Sequence, residues 1–120
     1  ETEKHVTSWL ADWMPGSVDL AGRTTMEELL AVLAASRAVV ANDSGAMHLA
    51  AAVGTQGVAV FGSTDPVATG PIGAPWRLVV SSELCRPCLR RTCPMSDHPY
   101  RCMKEISPHL VLSELTELLT

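Results

Sequence analysis

Three polar stretches of this 120-residue sequence carry residue types that could do chemistry. The first is Asn42-Asp43-Ser44-Gly45, followed at once by the helix-forming run AMHLAAAV. A helix N-terminus offers unpaired backbone N–H groups and the positive end of the helix dipole, which together suit a phosphate. Gly45 lets an anion approach the backbone closely, and the Ser44 hydroxyl is a further donor. His48 falls within the first turn, on the reach of the same ligand, while Asp43 suits orienting the turn or accepting from a sugar hydroxyl. Asn-Asp-Ser-Gly is equally a helix-capping sequence needing no ligand, and a lone histidine is often a hydrogen-bonded core residue. Spacing alone leaves both readings open. The second stretch is Gly62-Ser63-Thr64-Asp65-Pro66.

The third stretch holds Cys85, Cys88, Cys93 and Cys102, spaced C-x2-C-x4-C-x8-C. Four thiolates could bind a structural zinc tetrahedrally, with His98 able to replace one of them, and a metal would help fold a segment poor in apolar residues. Disulfides and four free thiols packed as small hydrophobes are the competing readings. Arg86, Arg90, Arg91 and Arg101 share the segment, either to meet phosphates on an acceptor or as a solvated face.

The surrounding elements must place these stretches. Residues 3–14 put Val6, Trp9, Leu10 and Trp13 at helical spacing, with Pro15-Gly16 as the stop. Val18-Asp19-Leu20-Ala21 is a short strand candidate. Thr24 or Thr25 caps a helix over about 25–36, with Glu27 and Glu28 in its first turn. Arg37–Ala41 and Val58–Phe61 read as strands buried on both faces, because both are nearly all apolar. Residues 67–75 read as loop, Trp76–Val80 as a third strand candidate, 83–105 as a cysteine-bearing loop, and Ser107-Pro108 as the start of a last helix. Strands alternating with helices predict an α/β fold, a Rossmann-like parallel sheet with flanking helices. In such sheets ligands bind at the carboxyl ends of the strands, where both polar turns fall.

Composition sets the limits. Apolar residues make up 47% and the mean hydropathy is +0.17, as expected of one globular domain over residues 1–120. Aromatics are 4%, so Ala, Val and Leu must build the core. A net charge of −4 without a long Lys/Arg cluster argues against nucleic acid as a partner. No run approaches the ~20 apolar residues of a membrane span. The sequence opens Glu1-Thr2-Glu3-Lys4, without an initiator Met or a leader-like segment, and reads as a piece of something longer.

The stretch DLAGRTTMEELLAVLAASRAVVANDSGAMHLAAAVGTQGVAVFGSTDP, Asp19 to Pro66, resembles the C-terminal half of glycosyltransferase family 9, the lipopolysaccharide heptosyltransferases. Their usual text runs D-L-x-G-x-T-[ST]-L-x-E-L, V-x-N-D-S-G-P-M-H-L-A-A-A and F-G-x-T-D-P. The tail CRPCLRRTCPMSDHPYRCMKEISPHLV is similar to their cysteine segment. Ala46 departs from the usual Pro, and Gln56-Gly57 from a usual Pro-Val, a change expected to alter only a loop.

The resemblance implies the C-terminal half of a GT-B glycosyltransferase, with two Rossmann-like domains facing a cleft. This half would bind ADP-heptose or a related nucleotide sugar. Ser44 and Gly45 would hold the diphosphate through backbone N–H groups, Asp43 would contact the heptose, and His48 would sit beside the phosphates. Thr24 would lie near the adenine, and Glu3 aligns with an acidic residue that holds the ribose. The catalytic carboxylate and the lipid-linked acceptor belong to an N-terminal domain outside these residues, so no catalytic residue is assigned here and this piece alone should not catalyse transfer. The chemistry implied needs no cofactor. The implied location is the cytoplasm, with room for peripheral contact at the inner face of the inner membrane. A nucleotide-binding or metal-stapled interaction module without catalysis is the competing function.

Overall fold

The computed structural model describes residues 2–120, for Thr2 the backbone alone. The chain divides into two compact units, residues 1–32 and 33–120.

In the first unit, α1 (Thr2–Trp13) carries Trp9 and Trp13 one turn apart, their ring centroids 5.8 Å from each other. The strand expected at Val18–Ala21 does not form. Asp19 Oδ1 accepts the Ala21 N–H at 3.0 Å and Leu20 O accepts the Arg23 N–H at 3.0 Å, so the segment turns. A side chain that satisfies the local backbone competes with a strand ladder. Helix α2 (Met26–Ala35) follows. Its cap is Thr25 rather than Thr24: Thr25 Oγ1 accepts the Glu28 N–H at 3.2 Å, and Glu28 Oε2 accepts the Thr25 N–H at 2.8 Å. That reciprocal pair is a capping box.

The second unit is built on β1 (Val39–Asn42), β2 (Gly57–Phe61) and β3 (Trp76–Val80), parallel and in that order. Asn42 stands opposite Val60 and Phe61 opposite Val80, so all three carboxyl ends share one edge. Between the strands lie α3 (Gly45–Ala52) and the one-turn α4 (Pro66–Thr69); after β3 come α5 (Arg101–Lys104) and α6 (Pro108–Leu119). Residues 66–69 were expected as loop. Asp65 accepts the Val67 N–H at 2.9 Å and Pro66 fills the first helical position, a pairing that starts a helical turn.

β2 is buried throughout, as its apolar run predicts. Alternation splits it between two cores: Ala59 and Phe61 pack with Met47 of α3, while Val58 and Val60 pack with Val79 and with Val111, Leu115 and Leu118 of α6. Each fully buried side chain of this size contributes about 1.5–3 kcal/mol. β1 departs from the expectation of burial on both faces. It ends the sheet's order, and Val40 is 50% exposed.

Gln56-Gly57 is more than a loop variation. Gly57 opens β2, where a Cβ would run into Val39 O and the Trp76 ring. The space a valine side chain would take is thus given to Trp76, which packs against the Met47–Ala59–Phe61 core. Gln56 Nε2 donates to Arg37 O at 3.0 Å, tying the lead-ins of β1 and β2 together. Thr55 is buried and donates to Leu33 O at 2.8 Å, fixing the end of α2. No helix among the described residues is long and apolar enough to cross a membrane.

Candidate functional site

The turn after β1 brings Asp43, Ser44, Gly45 and His48 together at the carboxyl edge of the sheet. Ser44 is the N-cap of α3 by position, extended at φ −157° and ψ 168°, yet its side chain makes no capping hydrogen bond. Asp43, the other residue suited to capping, is engaged elsewhere: its Oδ2 accepts from Thr69 Oγ1 at 2.6 Å. A plain cap requires a side-chain oxygen turned onto the first-turn amides, and here neither candidate supplies one. Beyond its own helix and chain neighbours, nothing lies within 4 Å of where a Gly45 Cβ would stand, so that side of Gly45 is open.

His48 is not a core histidine. Its side chain is 50% exposed, and Nε2 lies 3.9 Å from Asp43 Oδ1. The Asp43 side chain is only 15% exposed. A carboxylate, an imidazole and an uncapped helix terminus therefore share one turn, and this set can bind an anion and accept from a neighbouring hydroxyl.

Thr24 and Glu3 belong to the first unit. Thr24 is half-buried and stands just before the capping box, free of the capping role that Thr25 has taken. Glu3 is exposed in the first turn of α1.

The cysteine segment lies against the turn that follows β2. Arg86 Nε donates to Gly62 O and its Nη2 to Thr64 O, both at 2.7 Å, and the Leu89 N–H donates to Ser63 O at 3.1 Å. Arg86 is thus committed to two carbonyls and is a brace, not a phosphate contact. Arg101 is committed too: its Nε lies 3.2 Å from Glu83 Oε1 and also bonds Glu105. A proton shared with Glu105 raises Glu83 above the usual carboxylate range and, with Arg101, holds Glu105 below it. Arg90 and Arg91 remain exposed.

Cys85, Cys88, Cys93 and Cys102 all line one cavity of about 420 Å³, shared with Ser63, Tyr100 and Met103. All four are free thiols, none paired in a disulfide. Cys102 alone is buried, and burial, reinforced by the other three cysteines, pushes its thiol up. Packing as small hydrophobes therefore describes Cys102 but not the other three. The thiols share a cavity without converging: among the described residues no group of three or more His, Cys, Asp or Glu side chains is placed to hold a metal ion. Cys85, Cys88, Cys93 and Cys102, the residues expected to ligate zinc, share this cavity lining.

Thr69 and Arg86 are the residues that sequence reasoning missed in these roles. The Asp65-Pro66 pair was the available signal for Thr69, since it predicts a helical turn ending four residues on. For Arg86 the sequence holds none, because its partners are main-chain carbonyls more than 20 residues away.

The lipooligosaccharide heptosyltransferase 2 of Campylobacter jejuni is 35% identical over 106 residues, covering 84% of this chain and 31% of that protein. The lipopolysaccharide heptosyltransferase 2 of Salmonella typhimurium is 33% identical over 102 residues, 85% of this chain and 29% of that protein. The lipopolysaccharide heptosyltransferase 1 of Pseudomonas aeruginosa is 41% identical over 71 residues, 59% of this chain and 20% of that protein. The chain spans about a third of the length of the first two. No solved structure matches it. Residues 1–98, which take in the uncapped turn, the parallel sheet and most of the cysteine segment, match the family described as glycosyltransferase family 9 (heptosyltransferase), so the chain belongs to that family.

Proposed function

We propose that this chain is the donor-binding part of a glycosyltransferase that moves heptose from ADP-heptose to the inner core of lipopolysaccharide. The observation that carries the reading is the helix terminus at Gly45: it lies at the sheet's carboxyl edge, its cap residue makes no side-chain capping bond, and a Gly45 Cβ would meet nothing within 4 Å beyond its own helix and chain neighbours. The relatives named above are heptosyltransferases, which supports the sugar assignment.

In this reading the first-turn N–H groups of α3 and the Ser44 hydroxyl hold the donor diphosphate, and His48 stands beside it. Asp43 accepts from a heptose hydroxyl. The reaction is an inverting displacement at the anomeric carbon, with the acceptor hydroxyl deprotonated by a base outside these residues. This chain's own contribution is electrostatic. Donors aimed at the diphosphate stabilise the charge that grows on it as the glycosidic bond breaks, and removing one such donor raises the barrier by about 2–4 kcal/mol. No step is routed through a metal. The lipid-linked acceptor would be bound through a domain outside these residues, at the cytoplasmic face of the inner membrane.

Isothermal titration of the intact protein with ADP and ADP-heptose tests the reading. Micromolar binding of both, with loss of both in Gly45→Asp, is the expected result. A folded protein that binds neither refutes the donor assignment and favours an interaction module.

A further inference from the structure

Thr69 ends α4, and its hydroxyl stands between two acceptors: Asp43 Oδ2 at 2.6 Å and Asp65 O at 3.1 Å. A hydroxyl has one proton to give, and the shorter bond to an ionised carboxylate is the stronger. That bond joins the turn after β1 to the turn after β2, across 26 residues of chain. It also divides the Asp43 carboxylate into two unequal oxygens. Oδ2 is occupied by Thr69. Oδ1 lies 3.9 Å from His48 Nε2, beyond hydrogen-bond distance, so its lone pairs remain open. The Asp43 side chain is 15% exposed, which leaves it little room to rotate once Oδ2 is tied.

We infer that Thr69 is a positioning residue that fixes the Asp43 carboxylate so that Oδ1 accepts a hydroxyl of the donor's glycosyl group. The inference rests on the donor-binding reading above and deepens it: Thr69 contributes to recognition of the sugar and not of the diphosphate, which the N-terminus of α3 holds independently. The ligand chemistry it serves is a polyhydroxylated sugar presenting an O–H to a carboxylate. A substrate lacking that hydroxyl would gain nothing from Thr69.

The test is calorimetry on the intact protein with two probes, ADP and ADP-heptose, for wild type, Thr69→Val, Thr69→Ala and Thr69→Ser, each checked by thermal melting. Valine keeps the shape and removes the donor; alanine repeats the removal with a smaller side chain; serine restores the donor. With the bond to a charged partner lost, Thr69→Val and Thr69→Ala should bind ADP-heptose about tenfold more weakly, while ADP binding stays within about twofold. Thr69→Ser should match wild type for both probes. Unchanged ADP-heptose binding in both the valine and alanine variants overturns the inference while leaving the donor reading standing. Equal losses for ADP and ADP-heptose also overturn it, because they mark Thr69 as scaffold alone. Failure of Thr69→Ser to restore sugar binding overturns it as well. Wild-type protein that binds neither probe overturns the donor reading and this inference with it.

Discussion

The two polar turns at the carboxyl edge of the sheet use similar residues and end in opposite states. After β2, Asp65 turns its carboxylate back onto the Val67 N–H at 2.9 Å, Pro66 removes one donor, and Arg86 covers the carbonyls of Gly62 and Thr64. The main-chain carbonyls from Gly62 to Asp65 all find partners within the protein. After β1, Ser44 leaves the amides of α3 uncapped and Asp43 looks away to Thr69. A helix terminus that a neighbouring Asp or Ser could have satisfied, and does not, keeps its donors for something else. The difference teaches that Asp and Ser at a helix start mean little by type alone. Where the oxygen is spent decides between a cap and a binding turn.

The largest effect should come from putting a charge into the open turn. Gly45→Asp places a carboxylate where the diphosphate is proposed to sit, and like charges brought together at a binding surface cost several kcal/mol, so ADP affinity should fall by about a hundredfold. Stability should move the other way. An added side chain meets nothing within 4 Å, and an acidic residue in a helix's first turn contributes about 0.3–1 kcal/mol. Calorimetry with ADP and a denaturant melt on the same variant check both signs. Retained ADP affinity would remove the contrast between the turns.

Next in size is the brace on the closed turn. Arg86→Ala takes two charge-assisted bonds, both 2.7 Å, from Gly62 O and Thr64 O, and should cost about 2 kcal/mol of unfolding free energy. It should also loosen the cysteine segment, read as faster reaction of Cys102 with a thiol reagent, since burial now protects that thiol. An Arg86→Ala protein as stable as wild type would show that the turn after β2 closes by itself.

What was legible in the sequence follows the range of the forces involved. β2 was readable because burial on both faces needs an unbroken apolar run, and Val58–Phe61 is one. The last helix was readable from Ser107-Pro108, whose cap is local: Ser107 accepts the His109 N–H at 3.2 Å. The exposure of Val40 was not, because whether a strand lies at the end of a sheet depends on what pairs beside it. The failure of Val18–Ala21 to form a strand had a local cause, the Asp19 side chain, that an apolar pattern does not weigh. At the site, the motif placed Asp43, Ser44, Gly45 and His48 on one turn. The engagement of Asp43 was out of reach, because its partner Thr69 lies 26 residues further along. The cysteine spacing marked four residues of interest, but that they line one cavity came only with the fold, because Cys102 is brought there by a separate helix.

Smaller effects sharpen the comparison most, because they come as a crossed pair. Asp65→Ala removes a side chain that does cap, and such a loss costs about 1 kcal/mol of stability. ADP affinity should be unchanged, since that oxygen serves only the Val67 N–H. Ser44→Ala removes a cap residue that makes no capping bond, so the stability change should stay below about 0.5 kcal/mol. Its cost should fall on binding: a neutral hydroxyl's hydrogen bond contributes about 0.5–1.5 kcal/mol, a two- to tenfold loss of ADP affinity. Asp65→Ala takes a carboxylate and Ser44→Ala a hydroxyl from turns of like composition, and opposite outcomes would show that the use of the oxygen, not its presence at a helix start, separates the turns. If Ser44→Ala destabilises the fold as much as Asp65→Ala does, with ADP binding untouched, then Ser44 is a cap in solution and the turn after β1 is as closed as its neighbour.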